Sequence, residues 1–413
     1  MKEKPTATEG GGPPRRHLLF GGAAAGLGAL AAVGLQVANS AGRESGQPGP
    51  EPLHGAAVVP FHGARQAGVG TPAQAHGVFV SLELLPDTTR EKVRALLMLL
   101  SDDAARLTQG KAALADTEAE LALHPARLTV TFGFGPRLVQ LADPGQSPGW
   151  LRPLPGFSID RLVPEFSGGD LLLQICSDDP VTVAHARRML LKDSRSFASV
   201  KWVQQGFRRA HGTERPGATM RNLFGQVDGT ANPAPGGEQH ERTVWGGEGM
   251  PPWTPDGTSL VIRRIRMDVD TWDELDRPGR EESMGRDLAN GAPLTGVAEH
   301  DEPDFAALGP HGFPVIADFS HVRRSRPEDG SQRIFRRAYN YDDSPPAGGV
   351  SESGLIFASY QADVDKQFVP IQQRLDELDL LNKWTTPIGS AVFAVPPGCL
   401  AGGFVGEGLF AGD

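Results

Sequence analysis

The strongest order in this chain is an alternation of apolar and less apolar residues with a period of two. It begins at GVFVSLEL, where Val78, Val80, Leu82 and Leu84 share one face, as a strand with a buried side requires. Asp87 then precedes TTREKVRALLMLLSDDAARL, a run of good helix formers that predicts a helix capped by that aspartate. ARLTVTFGFG alternates again at Leu128, Val130 and Phe132, and GDLLLQICSDD reads as a buried strand. PVTVAHARRMLL predicts a second helix with Pro180 in its first turn, and SVKWVQQGF closes the series. The order is β-α-β-β-α-β, a ferredoxin-like unit.

The same order restarts after Gly257. SLVIRRIRM predicts the opening strand, and SAVFAVPPG from Ser390 the last one. Asp170 to Leu191 and Gly354 to Leu375 share one layout, an apolar strand, a short acidic turn and an amphipathic helix. The expected fold class is therefore α+β, two ferredoxin-like halves over 56–210 and 258–413. Between them, 211–257 is a long Gly/Pro-rich connection, and structureless connections of that length are usually functional or disordered.

Composition narrows the function classes. A chain of 413 residues, 39% hydrophobic and 22% charged, has material for one large or two ordinary domains with an ample core. The net charge of −10 argues against a basic surface for nucleic acid. Cys176 and Cys399, the only two cysteines, exclude a disulfide framework and a thiolate zinc site. No C-x-x-C-H is present, which excludes haem attached through thioethers.

The first forty residues differ in character. Arg15-Arg16 stands directly before a mildly apolar Gly/Ala-rich run from Leu18 to Val37, followed by small residues near Ala38 to Ala41. This resembles a twin-arginine signal peptide over 1–41, either cleaved on export near Ala41 or retained as an anchor. Such export carries folded proteins, so a cofactor inserted in the cytoplasm is expected. Removal of 1–41 leaves 36 basic against 48 acidic residues. Residues 42–55, rich in Gly, Pro, Ser and Glu, read as a disordered linker.

The candidate chemistry lies in loops. In FGQVDGTANP, Asp228 stands before Gly229 in a stretch whose local signals are those of turns. His54, His62 and His76 keep no useful spacing to a carboxylate, His300 and His311 flank an acidic loop, and His185 reads as a surface or packing residue. His321 is the informative histidine. It ends an apolar stretch, is followed by Arg323-Arg324, and precedes a second pair, Arg336-Arg337, directly after Ile334 and Phe335. Arginines placed after apolar residues point partly inward and need an anion. A histidine to bind iron, a carboxylate to move a proton and a guanidinium to stabilise charge on a departing oxygen are the parts of a haem peroxidase.

With those residues in place, the chain resembles the dye-decolourising peroxidases, in their exported branch related to deferrochelatase. The G-x-x-D-G block is Gly225 to Gly229, and FHGARQAGVGTPAQAH, TFGFGPRLV, HVRRSRP, IFRRAYNYDD and FAVPPG are similar to further blocks, in order from about Val58 to Gly402. The resemblance implies a duplicated, dimeric α/β-barrel-like fold, with one non-covalent haem b per chain held by the C-terminal half. It implies His321 as proximal iron ligand, Asp228 as distal acid/base, Arg336 as distal arginine, and Leu355 and Phe357 as apolar lining of the pocket. Only fifteen positions separate His321 from Arg336, which leaves Arg336 and Arg337 both open. Asp376 and Asp379 are both candidates to brace the proximal imidazole. Hydrogen peroxide, a one-electron reductant and the twin-arginine translocase are the implied partners, and a homo-oligomer is left open. The implied place is outside the cytoplasm, extracellular, periplasmic or at the cell envelope. Deferrochelatase-like release of haem iron is the alternative activity. A haem buried between the two halves would be out of reach of bulky reductants, so Tyr339, Tyr341, Tyr360 and Trp384 are candidates to carry electrons to it.

Overall fold

The computed structural model describes residues 53–246, 250–327 and 329–411. The twin-arginine stretch, its cleavage region and most of the expected linker lie outside them. Among the described residues no helix is long and apolar enough to cross a membrane.

Four strands build the N-terminal half: β1 (His76–Leu84), β2 (Thr129–Phe134), β3 (Leu171–Ser177) and β4 (Ala198–Phe207). Five segments build the C-terminal half: β5 (Thr258–Met267), β6 (Phe335–Arg336), β7 (Tyr339–Asp343), β8 (Glu352–Gln361) and β9 (Thr385–Val395). Within each half the neighbours follow the ferredoxin-like order, β2-β3-β1-β4 and β9-β5-β8-β7, all antiparallel. β6 and β7 share one register against β8, so Phe335 to Asp343 runs as a single interrupted strand. The aligned layouts in the sequence are the third strands of the two halves, β3 and β8, each with the helix that follows.

Two thin seams join the halves into a ring. Phe134 pairs with Ala394 at one, and Phe207 with Asn340 at the other. At the second seam a Cβ on Gly206 would stand 2.6 Å from Cβ of Tyr339 and 2.8 Å from the Asn340 carbonyl, so only glycine permits that approach. The pleat sorts side chains to two faces. Phe79, Leu172 and Trp202 from the first half and Ile262, Tyr339, Ile356, Tyr360 and Phe393 from the second fill the interior of the ring. On the outer face of the first half, Val80, Leu82 and Leu173 pack under the helices Arg90–Leu107 and Pro180–Ser194 through Val93, Leu96, Leu100, Val183 and Met189.

Two local expectations are corrected. The first helix is capped by Thr89, whose side chain accepts from the Lys92 N–H, while Asp87 instead pairs with the Lys92 ammonium at 2.5 Å. β9 begins at Thr385, five residues before the expected Ser390. Pro387 and Gly389 sit at a register shift where β9 skips one residue against Arg264 and Ile265, the kind of irregularity that tolerates a proline inside a sheet.

Candidate active site

Asp228 sits on a built hairpin, where the sequence suggested a flexible loop. Arg221 and Val227 form an antiparallel bridge, and the Asp228 N–H donates to the Met220 carbonyl at 2.8 Å. The Asn222 carboxamide oxygen accepts from the N–H groups of Phe224 and Gln226, each at 3.1 Å. The glycines close the turn rather than loosen it: Gly225 has φ 78° and Gly229 φ 131°, values that side-chain-bearing residues rarely adopt. The Asp228 carboxylate is thereby presented to Arg336, whose Nη1 donates to Oδ1 at 3.0 Å.

Strand periodicity decides between the two arginines. Arg336 and Arg337 are neighbours on one strand, so their side chains leave opposite faces. Arg336 faces outward and lines a cavity with Asp228. Arg337 is buried inside the ring, donating to the Thr71 carbonyl and to the Gln74 side chain. The outer edge of Arg336 is covered by Asn232, which accepts from its N–H at 2.9 Å and donates to its carbonyl at 2.7 Å. Asn232 thus acts as one residue of an added strand. The sequence offered it only as a turn former.

His321 opens a short helix, His321–Ser325, and its Nδ1 lies 2.6 Å from Oδ2 of Asp379. The other oxygen of Asp379 accepts from the Leu381 N–H at 3.0 Å, so one carboxylate both caps the turn at 380–383 and braces the imidazole. Asp376 does a different job. It accepts from Ser158 Oγ at 2.7 Å and from the N–H groups of Ser158 and Ile159 at 3.0 and 3.1 Å. These bonds fasten an N-terminal-half loop over the rim of the cavity, where Ile159 joins the lining. They also hold the Asp376 carboxyl below the usual carboxylate range, against burial, which acts the other way.

His321, Asp379, Asp228, Arg336, Leu355 and Phe357 all line this one cavity, together with Ile265, Met267, Ile371 and Phe368. Leu355 and Phe357 alternate with Ile356 and Ala358 along β8, the first pair facing the cavity and the second the ring interior. The cavity lies on the outer face of the C-terminal sheet, and not between the two halves as expected. The tyrosines change place with it. Tyr339, Tyr341 and Tyr360 are fully buried in the ring interior, on the far side of the sheet from Leu355 and Phe357. Trp384 is partly exposed and meets Trp272 edge-on at 5.2 Å, which stacks on the cavity residue Phe224 at 4.5 Å.

The residues fit a non-covalent haem. The solvent-accessible volume of about 250 Å³ is far more than single waters need, and its walls are mainly apolar. Nδ1 of His321 is engaged by Asp379, so Nε2 is the nitrogen that could ligate an iron in the cavity. At the rim, Arg333 has a buried Nε with no hydrogen-bond partner, a donor suited to a haem carboxylate.

The model of the Dyp-type peroxidase N-terminal domain matches residues 66–208, and that of the C-terminal domain 219–400. A dye-decolorizing peroxidase of Thermobifida fusca is 38% identical over 363 residues, 84% of each chain. A deferrochelatase of Escherichia coli O6:K15:H31 is 34% identical over 406 residues, 94% of each chain. The crystal structure of a DyP-type peroxidase from Cellulomonas bogoriensis is similar at a TM-score of 0.85 and 53% identity, covering 87% of this chain and 100% of that one. With both halves matched in order and identities of this size over most of each relative, the chain belongs to the Dyp-type peroxidase family.

Proposed function

We propose that the chain is a haem-dependent peroxidase that reduces hydrogen peroxide at the expense of dyes, phenols or other one-electron donors. The observation that carries this reading is a single cavity lined by a carboxylate-braced histidine and by an aspartate paired with an arginine. His321 would hold the haem iron through Nε2, with Asp379 fixing the tautomer by accepting a hydrogen bond from Nδ1–H. Arg333 pairs with a haem carboxylate. Bound haem supplies the redox chemistry of O–O cleavage. Asp228 takes a proton from the incoming peroxide at Oδ2 and returns it to the departing oxygen, which leaves as water. Arg336, held on Oδ1, stabilises negative charge on that oxygen. Leu355 and Phe357 exclude bulk water from the reacting atoms. Two one-electron donors and two further protons complete the reduction to a second water.

The test uses three variants. His321→Ala is expected to fold and retain little haem, and normal occupancy with an unchanged Soret band overturns the ligand assignment. Asp228→Asn and Arg336→Leu remove the base and the charge separately. At least one is expected to slow the reaction with peroxide by about 10²-fold or more, and wild-type rates in both overturn the distal assignment.

The deferrochelatase relative supports a second reading, removal of iron from haem in the same cavity. It predicts loss of the haem spectrum with appearance of free porphyrin. We further propose export through the twin-arginine pathway, supported by Arg15-Arg16 and the run that follows. Replacing both arginines by lysine is expected to retain the protein in the cytoplasm, and undiminished export overturns that reading.

A further inference from the structure

A second ligand cluster, none of whose members lines the cavity, lies where the first described residues meet the end of the N-terminal sheet. His54 belongs to a short turn, His54–Ala56, fastened to the body by backbone bonds from Ala126 to Gly55 and from Arg127 to Ala57. Its Nε2 lies 2.8 Å from Oδ2 of Asp178, one residue past β3. The spacing of 124 residues hid this partner from the sequence. His211, just after β4, stacks on His54 with ring centroids 3.6 Å apart and planes 10° from parallel. A ligand atom from each of His54, Asp178 and His211 falls within 4.8 Å of the others.

We propose that His54, Asp178 and His211 form a binding site for a borderline divalent cation, of which zinc is the type. Two imidazoles and one carboxylate suit that class. Metal–ligand distances of about 2.0–2.2 Å in tetrahedral geometry put ligand atoms roughly 3.3–3.6 Å apart, so the His54–Asp178 pair opens from 2.8 Å to admit the ion. Parallel rings cannot both aim an in-plane lone pair at one ion, so one ring must turn out of the stack, and His211, which is exposed, is the one able to do so. Asp178 is nearly buried, and Oδ1 is held by the Ala75 N–H at 2.9 Å, which fixes the direction of Oδ2. Arg127 Nη1 shares Oδ2 at 3.1 Å. That guanidinium also donates to the Pro72 carbonyl at 2.6 Å, so it keeps an acceptor when a cation takes Oδ2. Its charge lowers the affinity, and a fourth position remains for water. The bound ion ties the turn at His54 to the segment at His211, two pieces of chain outside the sheet, and stabilises their docking by mass action.

The test is calorimetric titration of zinc into the haem-loaded protein, with His211→Ala, Asp178→Asn and, as a control, His311→Ala, an exposed histidine outside the cluster. One equivalent is expected to bind to the wild type and to His311→Ala. Affinity is expected to fall by about tenfold or more in His211→Ala and Asp178→Asn, with the Soret band and peroxide reaction unchanged. His211→Ala removes an exposed side chain, so the folded protein remains testable. Absence of one-equivalent binding in the wild type, or equal binding in His211→Ala, overturns the proposal.

Discussion

Asp379→Asn probes the proximal bracket at almost constant shape. In the native chain one carboxylate oxygen accepts from His321 Nδ1 at 2.6 Å and the other from the Leu381 N–H at 3.0 Å. A carboxamide cannot accept in both places. If its oxygen stays on Leu381, its NH₂ meets Nδ1, which must then give up its proton. The proton moves to Nε2 and removes the lone pair that binds iron. If the amide flips, two donors face each other at Leu381. A hydrogen bond to a charged group contributes about 1.5–3 kcal/mol. The His321 side chain is 24% exposed, so the lower part of that range applies, roughly a ten- to thirtyfold loss of haem affinity. The assay is a haem titration followed at the Soret band, with circular dichroism to confirm the fold. Asp376→Asn is the control. It stands three positions earlier but holds Ser158 and Ile159 instead of the imidazole, and it should bind haem as the wild type does. A folded Asp379→Asn with wild-type affinity and an unshifted band refutes the bracket.

Two further outcomes concern other parts of the molecule. Trp384→Phe is expected to lower turnover of a bulky dye and leave the reaction with peroxide unchanged, because Trp384 and Trp272 connect the surface to Phe224 on the cavity wall. Stopped-flow traces of both steps decide it, and an unchanged dye rate rules the route out. Burial, and then the neighbouring Asp193 carboxyl, push the Asp103 carboxyl up to about 7. The fold therefore favours the protonated acid, and this contribution is complete below about pH 4 and lost as pH rises through 7. Apparent melting temperature should fall from pH 5 to 8 in the wild type and stay flatter in Asp103→Asn. Parallel pH profiles for the two proteins contradict that account.

Strand periodicity made most of the fold legible, because alternation survives in GVFVSLEL and ARLTVTFGFG and repeats in the second half. The same periodicity separates Arg336 from Arg337 once Phe335 to Asp343 is known to be one strand, which the spacing from His321 could not reveal. Other features left no local trace. Asn232 imitates a strand residue through its side chain, so its sequence reads as a turn. Asp376 and Asp379 are chemically alike and diverge only in the partners that tertiary structure brings, Ser158 from the other half and His321 from 58 residues away. The side of the sheet that carries the cavity depends on which face the ring encloses, and no single strand encodes that.

The pairing of β5 with β8 and β9 also sets the order of events at the ribosome. β5 ends at Met267, but β9 is complete only at Val395. At roughly 5–20 residues per second, β5 waits about 6–25 s for that neighbour. Asp228 is synthesised before β5, whereas Arg336, His321 and Asp379 come after it. The nascent chain therefore carries an aspartate on a hairpin and an open sheet, with no cavity to receive a cofactor. Haem loading is in consequence a late event, reserved for a chain whose last strand has already left the ribosome.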